Sequence, residues 1–482
     1  MEIWHYILIG LGAILLGLMS VVLVRTLNFK PKDSVSPDSE KVEFNRDRAV
    51  TNLQQLVKCR TVSYYSHEGE DEAEFKRLTK MLSELYPHVY ASCTLTELDD
   101  HGLLYRWEGR EHTEPTVLMA HYDVVPVKAD EWKKPPFDGV IEDGVLWGRG
   151  TLDTKITFAS ALFAVDHLIE SGFIPQRDVY LAFSGCEEVN GPAAVHIVDY
   201  FEKNGITPGF VLDEGGAVVE NVFPGVKERC AFIGIAEKGM IDLEYIAKSK
   251  GGHSSAPGPH TPVGVLSRAC CRMESKPFKA HLTEPVRCMF KTLGPRSSLL
   301  YRIIFSNLWL FSGLLDIICK KSGGELNAIM RTTVAFTQMQ GSSTSNVIPP
   351  EATMVSNMRL NPMDSVEGAI EYVRSVINDP NVEVTPLRST EPSRISRIDT
   401  EGYEKISRAI VSTWQGVLYS PYLMVQCSDS RHWGRISDRV YRFSAMDLTK
   451  EERSTIHGHN ERIRLEVIHR ATEFYIRLVS QC

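Results

Sequence analysis

Residues 116–126 read TVLMAHYDVVP, and this stretch decides the fold that we expect. A short apolar run ends at His121, and Asp123 follows two residues later. The same layout recurs at 180–188 (YLAFSGCEE) and 209–216 (GFVLDEGG), where acidic residues follow the apolar run. Runs of this length are typical of buried parallel strands, whose carboxyl ends line the active sites of open α/β sheets. The pattern predicts an α/β catalytic domain with a mainly parallel sheet.

The rest of the chain predicts helices around this sheet and a second folded unit. Amphipathic helices are predicted over residues 46–58, 72–85 and 155–170. Strands alternating with helices place helices on both faces of a sheet. Near residue 234 the pattern changes, and residues 240–247 and 352–359 alternate like half-buried strands. We therefore predict a smaller α+β unit inserted into the catalytic domain.

These patterns divide the chain into five predicted segments. They are a signal anchor or transmembrane helix at 1–30, a linker at 31–43, the first part of the catalytic domain at 44–235, the inserted unit at 236–385 and the second part of the catalytic domain at 386–482.

The N-terminal segment differs in composition from the rest of the chain. Residues 6–24 are uncharged and apolar, and they are long enough to cross a bilayer as one helix. Neither Lys nor Arg precedes them and no clear A-x-A cleavage site follows, so we favour a retained single-pass membrane anchor. A cleaved signal peptide, giving a secreted protein, is the alternative. Arg25, Lys30 and Lys32 follow the span and favour a cytoplasmic flank, but the side of the membrane stays open.

Composition excludes several classes of protein. The formal net charge of -8 gives no basic surface for nucleic acid. The hydrophobic fraction of 43% and the charged fraction of 24% are ordinary for a globular protein. The ten cysteines are scattered without a C-x-x-C pair, so neither a disulfide framework nor a thiolate zinc site is indicated.

Histidine and acidic residues along the chain form a complementary set of metal ligands. Imidazole nitrogen and carboxylate oxygen suit zinc, and cobalt or manganese accept the same donors. With one carboxylate shared, five side chains serve two metal ions, and three carboxylates plus a bridging hydroxide balance their charge. The candidates are His121, Asp153, Glu188, Asp213 and His457. His459 lies two residues after His457, and spacing alone does not separate the two histidines.

One carboxylate in this set remains unassigned. Glu187 is not needed as a ligand, and a free carboxylate beside a metal-bound water is the expected general base. Asp123 lies two residues after His121 and can fix the tautomer of its imidazole. Each of these residues is ordinary when taken alone. The repetition of one layout across several segments gives the metal-site hypothesis its weight.

Longer motifs extend the comparison to a known family. The segments are HYDVVPV, EWKKPPFDGVIEDGVLWGRGTLDTK, CEE, VLDEGG, GGHSSAP, TSNVIP and HGHNE. In this order they resemble the co-catalytic zinc amidohydrolases that include aminoacylase, carnosine dipeptidase and carboxypeptidase S. The resemblance covers roughly residues 44–482, and is strongest to the branch of carboxypeptidase S and N-fatty-acyl-amino-acid hydrolases.

The resemblance implies a zinc-exopeptidase-like fold and an assignment for each ligand. His121 and Asp213 would hold one zinc, Glu188 and His457 the other, and Asp153 would bridge the two. The family pattern His-Gly-x-Asn-Glu selects His457. The peptide bond beside the bridging aspartate is often cis in this family.

The resemblance also implies roles for the inserted unit and for the substrate-binding residues. The unit would be a lid and dimerisation domain, so a homodimer is expected. His253 would stabilise the oxyanion of the tetrahedral intermediate, and Asn346 would contact the substrate. Arg431 matches a family position and its guanidinium suits a substrate carboxylate, with Arg359 as the weaker alternative.

These inferences together predict a di-zinc hydrolase of peptides or N-acyl amino acids. It would cleave an amide or peptide bond next to a free carboxylate, as a carboxypeptidase, a dipeptidase or an N-acyl-amino-acid hydrolase does. A metal-bridged hydroxide would attack, with Glu187 as the general base. The alternative is a non-catalytic, membrane-tethered binding or receptor module. Loss of ligands would mark such a module, and the sequence keeps all of them.

A second apolar stretch, residues 298–319, needs its own interpretation. Arg302 and Asp316 interrupt it, which disfavours a second transmembrane span. We favour a buried helix of the inserted unit or of a dimer interface. The sharper hypothesis is an apolar wall for an acyl chain, lined by Trp309 and Phe311.

Overall fold

The computed structural model describes residues 3–31, 35–66, 68–221 and 223–482. Residues 1–2 of the predicted anchor and 32–34 of the predicted linker lie outside this part of the chain. The helices are α1 (Ile3–Asn28), α2 (Arg46–Val57), α3 (Glu72–Leu85), α4 (Pro87–Ser92), α5 (Lys155–Glu170), α6 (Ala193–Lys203), α7 (Pro262–Ser275), α8 (Glu284–Leu293), α9 (Leu299–Ser306), α10 (Leu308–Ser322), α11 (Gly324–Met330), α12 (Val366–Ile377), α13 (Glu401–Thr413), α14 (Lys450–Arg453) and α15 (Leu465–Val479).

The strands belong to two large sheets and two small ribbons. They are β1 (Thr94–Leu98), β2 (Gly102–Trp107), β3 (Glu111–His121), β4 (Val140–Glu142), β5 (Val145–Trp147), β6 (Arg177–Ser184), β7 (Phe210–Val219), β8 (Cys230–Glu237), β9 (Gly239–Lys248), β10 (Gly252–His253), β11 (Thr333–Gln340), β12 (Val347–Ile348), β13 (Glu351–Leu360), β14 (Val382–Thr390), β15 (Leu418–Met424), β16 (Val440–Asp447) and β17 (Arg462–Arg464).

The larger sheet has eight strands in the order β1-β2-β6-β3-β7-β16-β8-β15. Strand β3 is parallel to both β6 and β7, β7 is parallel to β16, and β8 is parallel to β15. The hairpin β1–β2 adds to β6 in the antiparallel direction, and β8 runs antiparallel to β16. The sheet is therefore mixed, with its parallel strands at the centre.

The central parallel strands bring their carboxyl ends to one edge. His121 ends β3 and lies opposite Ser184, which ends β6. The 3-10 turn Glu187–Val189 follows β6 directly. Acidic residues after β6 therefore lie beside the histidine at the end of β3, as the sequence pattern predicted.

Helices cover both faces of the larger sheet. On one face α2, α5, α13 and α15 bury apolar side chains such as Leu53, Phe158 and Phe474. On the other face Phe201 of α6 packs against Tyr180 and Trp433, with ring centroids 4.9 and 4.8 Å apart. The helices predicted over 72–85 and 155–170 coincide with α3 and α5.

A second sheet of four antiparallel strands lies between β8 and β15 in the chain. Its order is β11-β13-β9-β14, and α7 and α12 pack on it through a separate apolar core. Strands β9 and β13 contain the two segments predicted from alternation, 240–247 and 352–359. The domain boundaries and the role of this unit as a lid stay predictions.

The apolar stretch 298–319 forms two helices rather than one. Helices α9 and α10 meet at Asn307 with a bend of 118°. With α8 and α11 they form a third apolar core against the β7, β8 and β15 side of the larger sheet. Phe305 and Leu315 are buried in that core, whereas Trp309 faces outward.

Helix α1 is the one helix of the described chain that is long and apolar enough by itself to cross a membrane. Its apolar 18-residue window is not buried within the protein. Length and composition fit a membrane anchor and a signal sequence equally. Its C-terminal turn contacts the folded body at the junction of α9 and α10, through Thr26, Ser306 and Asn307.

The packing of α15 gives a test of the first core. The Phe474 ring is buried between Phe443 and Tyr475, with centroids 5.2 Å from each. We expect Phe474→Ala to lower the free energy of unfolding by about 3–5 kcal/mol, because the cavity cannot collapse fully. Urea denaturation measures this, with exposed Glu466→Ala on the same helix as the control. Equal effects of the two substitutions would contradict the packing described here.

Candidate active site

His121 is the centre of the cluster at the sheet edge. Its side chain is 1% exposed, and its Nε2 lies 3.0 Å from Asp153 Oδ1 and 3.3 Å from Glu214 Oε1. Its Nδ1 lies 3.0 Å from the carbonyl oxygen of Asp123. In the neutral ring Nδ1 donates to this oxygen and Nε2 is left as an acceptor. The Nε2 atom is therefore directed at two carboxylates as a metal ligand would be.

His457 approaches the same aspartate from the other side. Its Nε2 lies 2.9 Å from Asp153 Oδ2 and 3.0 Å from Glu188 Oε2. The two carboxylate oxygens of Asp153 thus face different imidazoles, which is the geometry of a bridging ligand. His459 contacts Glu131 instead, with Nε2 2.7 Å from Oε2. The structure brings His457, and not His459, into the cluster.

Two overlapping groups of side chains have the spacing of metal sites. His121, Asp153 and Glu188 form one group, and His121, Glu187 and Glu214 form the other. Within each group the ligand atoms lie within 4.8 Å of one another. The peptide bond between Asp153 and Thr154 is cis. Four of the five predicted ligands and the predicted base therefore lie together.

Asp213 does not join this group, and Glu214 lies there instead. The Asp213 carboxylate accepts hydrogen bonds from the Glu214 and Ser430 amides, at 2.8 and 2.9 Å. Strand β7 has an irregularity at this point, because Asp213 pairs with Arg442 and Gly216 pairs with Phe443. Two residues of β7 thus fall between neighbouring residues of β16, which turns Glu214 toward His121. The sequence prediction missed Glu214, although two glycines after an Asp-Glu pair are a signal for a bulge.

Asp123 organises the segment that carries the two glutamates. Its Oδ1 and Oδ2 accept hydrogen bonds from the amides of Glu187 and Glu188, both at 3.1 Å. Ser63 Oγ donates to Oδ2 at 2.6 Å, and Oδ1 also lies 3.3 Å from His121 Nδ1. Asp123 therefore contacts the imidazole of His121 and also holds the backbone after β6, and its role in fixing the tautomer stays a prediction.

Glu461 does the same for the loop that carries Asp153. This fully buried carboxylate lies 2.6 Å from Arg149 Nη1 and accepts hydrogen bonds from the amides of Gly150 and Leu152 at 3.1 and 2.7 Å. It follows His457 by four residues, so one segment supplies a histidine to the site and a support for the bridging aspartate. Sequence reasoning did not identify this role, because the partners are more than 300 residues apart.

The charges of the cluster oppose one another. Burial and the neighbouring Asp153 charge raise the pKa of Glu188 to about 7. Burial raises the pKa of Glu214 to about 7, with Asp153 adding to the effect although His121 opposes it. Hydrogen bonds with Asp153 and Glu188 raise the pKa of His457 to about 10. Burial would raise the pKa of Asp153 as well, but its bonds with His121 and His457 hold that pKa below its usual range.

A pair of divalent metal ions fits these residues. The donors are imidazole nitrogen and carboxylate oxygen, the set that zinc and related metals prefer. Glu188 Oε1 is buried and has no hydrogen-bond partner in the described chain, so one oxygen is left for a further ligand. Cations would also offset the burial and the repulsion that raise the pKa values of Glu188 and Glu214.

Two arginines, Arg431 and Arg359, meet at the segment 427–431. Arg431 Nη1 donates to the Ser428 carbonyl at 2.8 Å, and Nη2 donates to Asn190 Oδ1 at 3.1 Å. Its buried Nε has no hydrogen-bond partner among the described residues. Arg359, near the end of β13, reaches Cys427 with Nη1 3.2 Å from Sγ. Both predicted carboxylate-binding residues therefore contact the segment 427–431.

His253 and Asn346 lie together on the smaller sheet's side of the molecule. His253 ends β10 and pairs with Val347 of β12, and Asn346 directly precedes β12. The Ser254 amide donates to the Asn346 carbonyl at 3.0 Å. His253 is exposed, and its Nδ1 bonds with Ser255 Oγ at 2.8 Å. The structure brings these two predicted residues near each other, and their described contacts stay within this ribbon and its loop.

Comparisons with known proteins give the family context. The model of Peptidase family M20/M25/M40 matches residues 117–481. The N-fatty-acyl-amino acid synthase/hydrolase PM20D1 of Xenopus tropicalis is 35% identical over 98% of this chain and 94% of its own length. The probable carboxypeptidase S-like 2 of Dictyostelium discoideum is 33% identical over 97% of this chain and 92% of its own.

Solved structures share the fold at lower identity. The M20 family metallo-carboxypeptidase Sso-CP2 of Sulfolobus solfataricus has a TM-score of 0.67 and 18% identity, over 90% of this chain and 98% of its own. The YXEP protein of Bacillus subtilis, a dinuclear metal binding peptidase, has a TM-score of 0.54 and 14% identity, over 90% and 97%.

The position of Glu214 generates a test of the ligand set. We expect Glu214→Gln to lose one of two bound metal ions, because its carboxylate faces His121. Asp213→Asn should keep both, since its oxygens accept backbone hydrogen bonds. Metal content by mass spectrometry of the purified variants measures this, and circular dichroism controls for folding. Metal loss only in Asp213→Asn would restore the assignment that the resemblance implied.

Proposed function

The chain belongs to peptidase family M20/M25/M40 and is a metal-dependent peptidase or amidohydrolase, and from this premise we propose that it hydrolyses an amide bond next to a free carboxylate. The membership confirms the resemblance drawn from the sequence. The observation that carries the proposal is the position of Glu187, whose carboxylate lies in one group with His121 and Glu214. We assign the metal ions to the other carboxylates and the two histidines, which leaves Glu187 free to act as a base. This arrangement supports hydrolysis assisted by a base beside a metal pair.

Two zinc ions are the metals that we propose, and cobalt or manganese suit the same donors. His121, Asp153 and Glu214 would hold one ion, with Glu214 in the place that the sequence prediction gave to Asp213. Asp153, Glu188 and His457 would hold the other. When bound, such a pair polarises the scissile carbonyl and lowers the pKa of a bound water.

Glu187 would move the proton during the reaction. As base it accepts the proton of the attacking water, and it then delivers that proton to the leaving amine. Its backbone is held by the hydrogen bond from its amide to Asp123 Oδ1. Desolvation in the site raises the pKa of its carboxyl well above the usual value, with Asp429 and Glu214 adding repulsion although His121 opposes it. A raised pKa suits a group that must both take and give a proton near neutral pH.

Arg431 would bind the free carboxylate of the substrate. Its guanidinium is held at both terminal nitrogens, so little side-chain entropy is lost on binding. Arg359 is the alternative, since it contacts the same segment from β13. Two relatives, a carboxypeptidase S-like protein and an N-fatty-acyl-amino acid synthase/hydrolase, have names that imply such substrates. The substrate would be a peptide or an N-acyl amino acid.

His253 and Asn346 would complete the site from the inserted unit. We assign His253 to the oxyanion and Asn346 to the substrate, as the resemblance implies. Both residues are exposed, His253 in the ribbon β10–β12 and Asn346 directly before it, so closure of a lid or contact with a second copy would bring them to the metal ligands. A homodimer therefore belongs to the proposal.

Helix α1 would be a retained membrane anchor. Thr26 is 4% exposed, and its Oγ1 lies 3.0 Å from Ser306 Oγ and 3.3 Å from Asn307 Nδ2. Arg25 Nε donates to the Ser306 carbonyl at 3.1 Å. These polar contacts hold the end of α1 in a helix against the folded body. A signal peptidase needs an accessible segment there, so the contacts favour retention over cleavage.

Replacing the proposed base tests the mechanism. We expect Glu187→Gln to lower kcat by about 10²–10⁴-fold, because the amide cannot accept the proton. Bound metal should stay near two ions per chain, since Glu187 is not assigned as a ligand. Hydrolysis of N-acyl amino acids and dipeptides, with metal analysis, measures both. Exposed Glu220→Gln is the matched control.

The outcomes separate the hypotheses. A fully active Glu187→Gln variant would overturn the base assignment. A wild-type chain that carries both metals and hydrolyses no such substrate would favour the non-catalytic binding module.

The carboxylate contact is tested by comparing substrates. Wild-type enzyme should prefer an N-acyl amino acid over its amide, and Arg431→Gln should reduce this preference by about 10- to 100-fold, the value of a lost charged hydrogen bond. Arg435→Gln is the control, because Arg435 lies in the same turn and pairs with exposed Asp199 and Glu202. An unchanged preference would show that Arg431 does not bind the substrate carboxylate. Arg359→Gln would then be measured in the same way.

A further inference from the structure

Helices α9 and α10 present large apolar side chains to the outside. We call the set the apolar corner, and its members are Leu299, Leu300, Trp309, Leu310, Leu314 and Ile317. Leu300 is 67% exposed and Trp309 is 54% exposed. A cluster of exposed apolar residues of this size marks a surface that contacts another apolar body.

The spacing within α10 places its members on one face. Leu310, Leu314 and Ile317 follow the i, i+4, i+7 pattern of a helix side. Leu315 and Cys319 lie on the other side and are buried in the third core. Helix α10 therefore has two apolar faces. One is buried in the third core, and the other is exposed.

Neither helix can cross a bilayer. Helix α10 has 15 residues and is about 22 Å long, shorter than the hydrocarbon thickness of about 30 Å. The bend of 118° at Asn307 prevents α9 and α10 from forming one straight span. Lys320 and Lys321 end α10, so its apolar face is bounded by charge. Short amphipathic helices with lysine at the boundary lie in the interface plane of a membrane.

The corner is continuous with helix α1. Thr26 bonds with Ser306 and Asn307, the residues at the junction of α9 and α10. The Phe29 ring packs against Gly294, just before α9. The corner therefore lies beside the end of the apolar helix and not on a remote face. Arg25 and Lys30 follow the apolar run of α1 and can meet lipid headgroups at the same level.

We propose that the apolar corner lies in the headgroup and acyl boundary of the bilayer, on the side where α1 leaves the membrane. The proposal rests on the anchor role of α1 given above. One helix alone would let the body rotate about its axis. A second contact beside it fixes the face that the body turns toward the lipid. The occupant is thus a phospholipid surface, not a soluble acyl chain and not a second copy of the chain.

Lipid quenching of Trp309 fluorescence tests the contact in the full chain. The chain is reconstituted into phosphatidylcholine vesicles with or without brominated acyl chains, and wild-type emission is compared with Trp309→Phe. The difference isolates Trp309, since the other tryptophans, including Trp4 in α1, remain in both proteins. We expect brominated lipid to quench most of the Trp309 emission and aqueous iodide not to quench it. Trp147→Phe is the control in the catalytic domain, and its difference signal should ignore brominated lipid.

A labelling measurement gives a second readout. Leu314→Cys and Leu387→Cys place thiols at positions that are 46% and 56% exposed, one in the corner and one on β14. A membrane-impermeant maleimide should label residue 314 in vesicles several-fold more slowly than residue 387, with exposed Cys271 as the internal standard. Unchanged hydrolase activity shows that each variant is folded.

The following results would contradict the contact between the apolar corner and lipid. Iodide quenching of Trp309 in vesicles, or equal labelling of the two thiols, would place the corner in water. Protection from iodide without quenching by brominated lipid would place it against protein, as in a dimer. A chain that does not enter vesicles would overturn the anchor as well, whereas a chain that enters with Trp309 in water would leave the anchor intact.

Discussion

Mutual repulsion among buried carboxylates is the constraint on which this structure depends. Asp153, Glu188 and Glu214 lie within a few ångström of His121, in surroundings that raise the pKa values of both glutamates to about 7. Charges at such distances in a poorly solvated site oppose folding unless cations or hydrogen bonds compensate them. The contacts with His121 and His457 offset part of this repulsion, and the fold also holds the segments that carry these side chains by their backbones. Metal binding is then favoured because the backbone already holds the ligands in place.

Two further carboxylates supply that backbone support. Asp123 accepts the amides of Glu187 and Glu188, and Glu461 accepts amides of the loop before Asp153 while it pairs with Arg149. The second interaction joins segments that are more than 300 residues apart. Because Glu461 joins these two segments directly, the four-stranded unit can lie between them in the sequence. The two parts of the larger sheet are tied together at the site itself, so the inserted unit need not contribute to their cohesion.

Much of this could be predicted from the sequence, and the failures have a local cause. Helices such as α3 depend on periodicity and caps, so their bounds follow from the chain alone. Asp213 stays a predicted ligand, and the position of Glu214 beside His121 depends on an irregular pairing of β7 with β16. A neighbouring strand that lies far away in sequence sets that pairing. The antiparallel direction of β8 beside β16 was hidden for the same reason, because strand direction is a property of the whole sheet.

Strand β8 contacts both regions on which the proposals depend, the third apolar core and the segment 427–431. Phe232 in its first half packs in the third core, where the Phe290 and Phe305 rings of α8 and α9 lie 4.8 Å apart. Glu237 at its other end accepts hydrogen bonds from Ser428 and Arg442, next to the segment that carries Arg431. All eight residues of β8 are buried. Buried strands of this kind do not bend independently of the sheet. The sheet therefore fixes the orientation of the apolar corner relative to the substrate-binding segment. A contact of the apolar corner with lipid would then orient the active site relative to the membrane, in addition to holding it near the lipid.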